Sequence, residues 1–215
     1  MACIQEDGNF FKTTNKSDTI VRVIAGSARG VSLYSPKGSK TRPIPDNVKE
    51  SLFNILANVV PDSNILDLYA GTGAVGIEAL SRGAKSCLFV ENDTSAIQTI
   101  EKNIAVTKLH EKSSIIKCDV LKVIPFLEQH IAGIDLVFAC PPYPLVDESS
   151  YREKLLIFLS ALYEKNIVCP EGIIVFQHRK ILLEIPPKAL FLKLYDTRIY
   201  RETQVSFFEK NIRVS

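Results

Sequence analysis

From Asn64 onward, short apolar runs alternate with longer segments in which apolar residues recur every three or four positions. Short apolar runs are typical of buried strands, and the longer period indicates helices with one apolar face. We predict strands near 64–68, 86–91, 113–118, 134–139 and 172–177, and helices near 74–82, 93–107, 120–130 and 150–164. In the second helix, Ile97, Ile100 and Ile104 are expected to form the buried stripe.

The last part of the chain departs from this alternation. Residues 191–200 and 204–208 are consecutive strand candidates joined by a short turn, so they are expected to pair antiparallel. The preceding alternation predicts a mostly parallel sheet, covered by helices on both faces. The alternation by itself establishes only that this is an α/β protein. A mostly parallel seven-stranded sheet that ends in an antiparallel hairpin resembles the Rossmann-like fold of class I S-adenosylmethionine-dependent methyltransferases.

The segment before Asn64 has a different character. Two short apolar runs, 21–24 and 31–33, predict a small basic hairpin, and the proline-rich stretch 35–45 predicts an irregular loop. Asp46 is expected to cap a helix whose apolar face comprises Val48, Leu52, Phe53, Ile55 and Leu56. We therefore divide the chain into a basic N-terminal extension, residues 1–60, and a Rossmann-like domain, residues 61–215.

Charge is concentrated near the start of the chain. The whole protein carries a formal charge of only +2, but eight basic and two acidic side chains lie between Lys12 and Lys49. That local excess of six positive charges favours a phosphate-rich partner, although a solvated basic surface is the commoner meaning of such a run. Its place just before the first long strand favours nucleic acid.

Other features narrow the class of protein. The five cysteines include no Cys-x-x-Cys pair, and no signal-peptide pattern opens the chain, which fits a reducing cytoplasm. No apolar run reaches the ~20 residues of a membrane-spanning helix. The three histidines lack ligand-like spacing, so we predict no metal site. We expect a monomer without a membrane partner.

A glycine loop follows the first long strand. Gly71, Gly73 and Gly76 have the G-x-G-x-x-G spacing, in which missing side chains let the backbone turn tightly and approach a ligand. The spacing alone would also suit a nicotinamide dinucleotide, with Glu91 on a ribose. Asp67, four residues before the loop, distinguishes the two. Its carboxylate suits the ammonium group of S-adenosylmethionine, whereas it would repel a pyrophosphate.

The next two strands end in further candidates for cofactor binding. Glu91 is expected to accept hydrogen bonds from both ribose hydroxyls, and Asp119 to meet the adenine amino group. An N-cap before Val120 is an equally good interpretation of Asp119. The predicted cofactor residues are Asp67, Tyr69, Gly71, Gly73, Gly76, Glu91, Asn92, Asp119 and Val120.

The strand near 134–139 ends in Cys140-Pro141-Pro142-Tyr143. This step resembles the Asp/Asn-Pro-Pro-Tyr/Phe motif of amino methyltransferases, and we predict it to be catalytic. An exocyclic base amine is a poor nucleophile because its lone pair is delocalised into the ring. A side-chain oxygen and the first proline's carbonyl would accept the amine hydrogens while the aromatic ring stacks on the base. Alternatively, the prolines merely end a strand and Tyr143 packs.

Upstream elements make the resemblance more specific: Arg22-Val23-Ile24-Ala25-Gly26, Arg29-Gly30, Arg42-Pro43 and Val48-Lys49-Glu50-Ser51-Leu52-Phe53-Asn54. With the glycine loop and Pro-Pro-Tyr, they resemble the RsmD family, which methylates the N2 amine of a guanine in bacterial small-subunit (16S) ribosomal RNA. The resemblance implies S-adenosylmethionine as cofactor and ribosomal RNA, or a small-subunit assembly intermediate, as partner. It also implies that RNA is held by Arg22, Arg29, Arg42 and Lys49.

Two positions depart from the family pattern. Ile44 stands where the family usually has Thr, and Cys140 where it has Asp or another polar acceptor. A thiol accepts hydrogen bonds weakly, so a slower enzyme is expected. Three alternatives stay open: an adenine-N6 methyltransferase, a non-catalytic RNA-binding or ribosome-assembly protein, and a nicotinamide enzyme. A nucleophilic Cys140, as in cytosine-C5 methyltransferases, is disfavoured because there the cysteine follows a proline.

Overall fold

The computed structural model describes residues 21–35 and 45–212. Its helices and strands run in this order: β1 Val21–Arg22, β2 Ser32–Leu33, α1 Asp46–Ile55, β3 Asn64–Leu68, α2 Ala74–Ser81, β4 Ser86–Glu91, α3 Thr94–Thr107, β5 Ser113–Lys117, α4 Ile124–His130, β6 Ile134–Ala139, α5 Tyr143–Asp147, α6 Ser149–Glu164, β7 Val168–Arg179, β8 Leu192–Tyr200 and β9 Thr203–Lys210. Short 3₁₀ turns span His110–Lys112 and Val120–Lys122. None of the helices in this part of the chain has the length and apolarity to cross a membrane.

Seven strands form one sheet in the order β5-β4-β3-β6-β7-β9-β8. The first five of these are parallel neighbours, and β9 pairs antiparallel with both β7 and β8. The predicted architecture is therefore confirmed: a mostly parallel, Rossmann-like sheet of seven strands that ends in an antiparallel hairpin. Parallel strands need helical crossovers, which explains why helices cover both faces.

The two faces of the sheet carry separate hydrophobic clusters. One face packs against the hairpin β1–β2 and helices α1, α2 and α3, and includes Phe53, Ile100 and Phe138. The other packs against α4, α5 and α6, and includes Leu127, Leu159 and Phe176. Because Val21, Leu33 and Leu52 belong to the first cluster, the described part of the N-terminal extension shares its core with the sheet.

Most predicted bounds hold within a few residues, with three corrections. The predicted helix 120–130 is a 3₁₀ turn followed by α4, and α4 carries a proline in its first turn. Asp46 is the first residue of α1 rather than its cap; Pro45 occupies the cap position and makes no side-chain hydrogen bond. The strand predicted at 172–177 is longer, because β7 begins at Val168 and ends at Arg179.

Two predicted helix faces also need correction. Ile55 is 41% exposed, because α1 ends there and turns its last residue away from the sheet. Ile97 is only partly covered, whereas Ile100 and Ile104 are buried. The buried face of α3 also includes Asn103, whose amide has polar partners.

The basic hairpin is confirmed, with Val21 opposite Leu33. Residues 1–18 and most of the loop 35–45 lie outside the described residues.

Candidate active site

The predicted cofactor and catalytic residues meet at one edge of the sheet. Strands β3, β4, β5 and β6 are parallel neighbours, so the segments that follow them all lie at the carboxyl-terminal edge. From β3 the chain builds β4 and β5 on one side, whereas β6 lies on the other. Open α/β sheets bind ligands where the strand order reverses in this way. The loop containing Gly73 and the step containing Tyr143 follow the two strands that flank this point.

The glycine loop has a backbone that only a few residue types tolerate. Tyr69, Gly71 and Gly73 have φ values of 59°, 57° and 75°, in the left-handed region. A side chain at this Gly71 or Gly73 would therefore be strained. Glycine at position 76 has a different cause, since an added Cβ would lie 2.4 Å from the Phe89 ring. The loop thus turns sharply while α2 packs closely on β4.

Glu91 fixes the loop to the end of β4. One carboxylate oxygen accepts the Gly71 N–H at 2.9 Å, and the other accepts the N–H groups of Asn92 and Asp93 at 2.7 and 2.9 Å. From the other side, the Asn103 amide donates to the Thr72 carbonyl at 2.8 Å. Both contacts hold the loop in shape, so its backbone N–H and C=O groups would be preorganised for a ligand at this edge of the sheet. The sequence did not indicate this role of Asn103, because it depends on the distance between α3 and the loop.

Asp67 is buried beneath the loop. Its carboxylate accepts the Gly76 N–H at 3.0 Å and is 1% exposed. Burial raises the pKa of Asp67 to about 7, the Gly76 hydrogen bond opposes the rise, and the charge of Glu91 adds to it. A buried carboxyl poised near neutrality is ionised when a cation lies beside it. This arrangement fits an ammonium group and disfavours a pyrophosphate.

Asp119 follows β5 and acts as a cap. Its carboxylate accepts the Leu121 N–H at 3.0 Å at the start of the 3₁₀ turn, while Val120 is buried in the second cluster. The N-cap interpretation is therefore confirmed. A contact from Asp119 to an adenine amino group stays a prediction.

Cys140 begins the step after β6. Its N–H donates to the Leu68 carbonyl at 3.5 Å, and the side chain packs against the first cluster. Burial raises the pKa of the Cys140 thiol far above its usual value, and the nearby Asp67 carboxyl raises it further. The thiol is therefore neutral, so it is neither an activated nucleophile nor an anionic acceptor.

The two prolines and Tyr143 form the rest of this step. Pro141 is buried, and Pro142 is the cap of α5, whose first residue is Tyr143. The Tyr143 hydroxyl lies 2.6 Å from Thr203 Oγ1 on β9. The Arg179 guanidinium lies over the ring, 5.1 Å from its centroid. Tyr143 is thus held at its hydroxyl and on one ring face while remaining partly exposed.

The residues predicted to hold RNA differ in their surroundings. Arg22 has a 64% exposed side chain that pairs with Asp46 at 3.3 Å, and Arg29 is exposed. Arg42 lies outside the described residues. The prediction for Lys49 is wrong, since its side chain is fully buried, donates to the Arg22 carbonyl at 2.6 Å and pairs with Glu78 at 3.5 Å. A lysine enclosed in this way cannot reach a phosphate.

Two shallow cavities lie away from this edge. One, at the opposite edge of the sheet, is lined in part by Asp62, Asp135 and Glu171, whose charge would repel RNA. The other lies between Phe53, Val60 and Arg82. Neither contains a predicted site residue, so the strand reversal, rather than cavity size, indicates the candidate site.

Comparison with known proteins agrees with this geometry. The family model described as "Conserved hypothetical protein 95" matches residues 21–209. The chain belongs to this family. This family corresponds to the RsmD family that the sequence resembles, because several relatives of the chain are named ribosomal RNA small subunit methyltransferase D.

Individual relatives extend over most of the chain. The "Putative rRNA methyltransferase YlbH" of Bacillus subtilis is 34% identical over 190 residues, covering 88% of this chain and 99% of that protein. Ribosomal RNA small subunit methyltransferase D of Haemophilus influenzae is 33% identical, covering 71% and 84%. The solved structure of "Putative methyltransferase yhhF" from Escherichia coli is 28% identical with a TM-score of 0.72, covering 89% and 98%.

Proposed function

We propose that this protein is an S-adenosylmethionine-dependent methyltransferase that acts on the exocyclic N2 amine of a guanine in small-subunit (16S) ribosomal RNA. The observation that carries the proposal is the meeting of the glycine loop and the Pro-Pro-Tyr step at the strand reversal between β3 and β6. The names of the relatives support ribosomal RNA as the substrate. The choice of guanine N2 follows the RsmD resemblance.

The residues around the glycine loop fit the proposed cofactor. Asp67 would hold its ammonium group, Glu91 its ribose, and the backbone around Gly71 and Gly73 would lie against it. When bound, S-adenosylmethionine supplies an electrophilic methyl group. A solved structure of the same fold, SMU.776, has 14% sequence identity and a TM-score of 0.59, and it is complexed with S-adenosylhomocysteine (SAH).

The residues after β6 would hold the base. The Pro141 carbonyl would accept one amine hydrogen, and the Tyr143 ring would stack on the base with the face that Arg179 leaves open. Arg22 and Arg29, at the exposed hairpin, would contact the RNA backbone. Orientation of this kind is the main contribution that the protein can make, because transfer to an amine needs no covalent enzyme intermediate.

A test in cells compares small-subunit ribosomal RNA with and without the gene, by mass spectrometry of its nucleosides. The proposal predicts that one N2-methylguanine is lost on deletion and restored by the wild-type gene. Loss of an N6-methyladenine would instead establish the adenine alternative. Unchanged methylation would favour the non-catalytic RNA-binding alternative, for which the neutral Cys140 thiol is the supporting observation.

Tyr143→Ala tests base capture. Stacking on a base is worth roughly 1–3 kcal/mol, so we expect kcat/KM for RNA to fall about ten- to a hundredfold. SAH affinity should stay within twofold, because Tyr143 lies on the β6 side of the site. Tyr143→Phe keeps the ring and loses the 2.6 Å contact with Thr203, so it should retain most activity. If Tyr143→Ala unfolded the protein, the Tyr143 ring would have a packing role in the core instead of a role in base capture.

Cys140→Asp tests the missing acceptor. A hydrogen bond to a charged acceptor is worth roughly 1.5–3 kcal/mol, which corresponds to about ten- to a hundredfold in rate. We expect kcat to rise, and to rise by that full amount only if no other group already accepts the same hydrogen. Cys140→Ser, which keeps the size without the charge, is the control. A lower kcat with unchanged SAH affinity would show that the thiol itself suits this site.

A further inference from the structure

One polar atom beside the Pro-Pro-Tyr step has no hydrogen-bond partner in the part of the chain that the structure describes. Gln177 lies near the end of β7 and is 7% exposed. Its Nε2 donates to the Tyr143 hydroxyl at 3.4 Å. Within residues 21–35 and 45–212, its Oε1 is the only buried side-chain nitrogen or oxygen that makes no hydrogen bond. A buried unpaired acceptor costs free energy, and a ligand that donates a hydrogen bond to it would recover that cost.

The register of the sheet places this amide beside Cys140. Strands β6 and β7 are parallel, and Ala139 pairs with Phe176. Extending the register by one residue sets Cys140 beside Gln177. Phe138 and Val175, the preceding pair on the same side of the sheet, both belong to the first cluster, and Cys140 packs against it. Since partners in a parallel ladder share a face, the extended register predicts that Cys140 and Gln177 lie next to each other on that face.

The proposed reaction requires an acceptor at this place. An exocyclic amine presents two hydrogens, and the Pro141 carbonyl would take one of them. The neutral Cys140 thiol is a weak acceptor for the other. A carboxamide oxygen is a strong acceptor, and Gln177 supplies one, buried and already anchored at its nitrogen to the residue that would stack on the base.

We infer that Gln177 Oε1 accepts a hydrogen of the substrate amine and so takes over the role that the family assigns to the side chain at position 140. The inference rests on the proposed function and names a further residue that contacts the substrate. Its carbonyl oxygen would orient the amine nitrogen toward the methyl group. It would also explain how a chain with cysteine at position 140 could catalyse methyl transfer.

Gln177→Met tests the inference, because methionine keeps the length of the side chain and removes the acceptor. With purified protein, small ribosomal subunits and methyl-labelled S-adenosylmethionine, we expect kcat to fall about ten- to a hundredfold. SAH affinity should be unchanged. Gln177→Glu keeps an acceptor and should retain activity. If the amide acted as a donor instead, Gln177→Glu would fail as Gln177→Met does, which would overturn the inference.

Two control variants distinguish a substrate contact of Gln177 from a purely structural role. Gln204→Met makes the same substitution on β9 at a side chain that is 6% exposed, but whose Oε1 accepts the Ile181 N–H at 3.3 Å. It should alter stability and leave kcat unchanged. Thr203→Val removes the other partner of the Tyr143 hydroxyl. If Thr203→Val lowered kcat as much as Gln177→Met does, Gln177 would act only through Tyr143, and the inference would be overturned.

The decisive variant combines Gln177→Met with Cys140→Asp. If the two positions supply the same acceptor, Cys140→Asp raises kcat severalfold in the wild type and about a hundredfold in the Gln177→Met background. Equal gains in both backgrounds would overturn the inference while leaving the proposed function intact. A wild-type protein that transfers no methyl group would overturn both.

Discussion

Replacing Glu78 with alanine is expected to lower the free energy of unfolding by about 3–5 kcal/mol, the usual result of leaving a buried charge unpaired. The Glu78 side chain is fully buried in α2 and accepts the N–H groups of Ile24 and Ala25 at 2.7 and 3.0 Å. It also pairs with Lys49 at 3.5 Å and with Arg82 at 2.7 Å. Its loss would leave Lys49 and two backbone donors without this acceptor.

Urea unfolding followed by circular dichroism measures the effect. Glu209→Ala is the matched control, because Glu209 also forms an ion pair, with Lys193 at 2.6 Å, but both side chains are largely exposed. Exposed pairs contribute at most about 1 kcal/mol. Equal losses for the two variants would contradict a structural role for the buried pair. Lys49→Met should cost less than Glu78→Ala, because Arg82 and the two N–H groups still neutralise the carboxylate.

The second large effect concerns Asp67 and the proposed cofactor. Asp67→Asn replaces the carboxylate under the glycine loop with a neutral amide of similar size. A hydrogen bond to a charged group is worth roughly 1.5–3 kcal/mol, so we expect the Kd for SAH to rise about ten- to a hundredfold. Titration calorimetry measures it. Asp135→Asn is the control, since Asp135 accepts the Asn64 N–H at 2.8 Å at the opposite edge of the sheet and should not affect binding.

The pKa of Asp67 predicts a pH dependence for the same binding. The folded pKa of about 7 lies above the usual 3.8, so the free protein loses stability as the pH rises from about 4 to 7. An ammonium group requires the carboxylate, whose population falls about tenfold per pH unit below the pKa. The apparent Kd for SAH should therefore rise about tenfold between pH 8 and pH 6.

Asp67→Asn should abolish that dependence, because an amide does not titrate in this range. In the wild type, binding at pH 6 should also release close to one proton, detectable by calorimetry in buffers of different ionisation enthalpy. A wild-type Kd that does not change between pH 8 and pH 6 would show that Asp67 is already ionised or does not meet the ammonium group.

The main elements of the fold could be predicted because each carries a local signal. Each of the five parallel strands contains a short apolar run, and the last two strands follow one another with a short turn. The glycine spacing predicted the tight turn, but the reason for glycine at position 76, the close approach of α2 to Phe89, is visible only in the structure. The end of α1 could not be read in this way, because only the packed structure shows that Ile55 faces outward.

The candidate site could be predicted only where its residues form short motifs along the chain. Asp67, the glycine loop and Pro-Pro-Tyr appear as motifs along the chain. Lys49 was misassigned because a lysine among basic residues has the same pattern whether it meets RNA or a buried partner such as Glu78. Gln177 gave no signal in the sequence, since the inference about it rests on the register of β6 and β7 and on its Oε1, which has no hydrogen-bond partner within the described residues.

In the proposed function, methyl donor and guanine meet between the ends of β3 and β6. The most direct measurement incubates the purified protein with methyl-labelled S-adenosylmethionine and small ribosomal subunits or naked 16S RNA, then identifies the labelled nucleoside by mass spectrometry. We predict label in N2-methylguanosine, and a rate of labelling that is about ten- to a hundredfold lower with Tyr143→Ala. Label in another nucleoside would rule out guanine N2 as the target, and no label in either substrate while SAH still binds would rule out methyl transfer to this RNA.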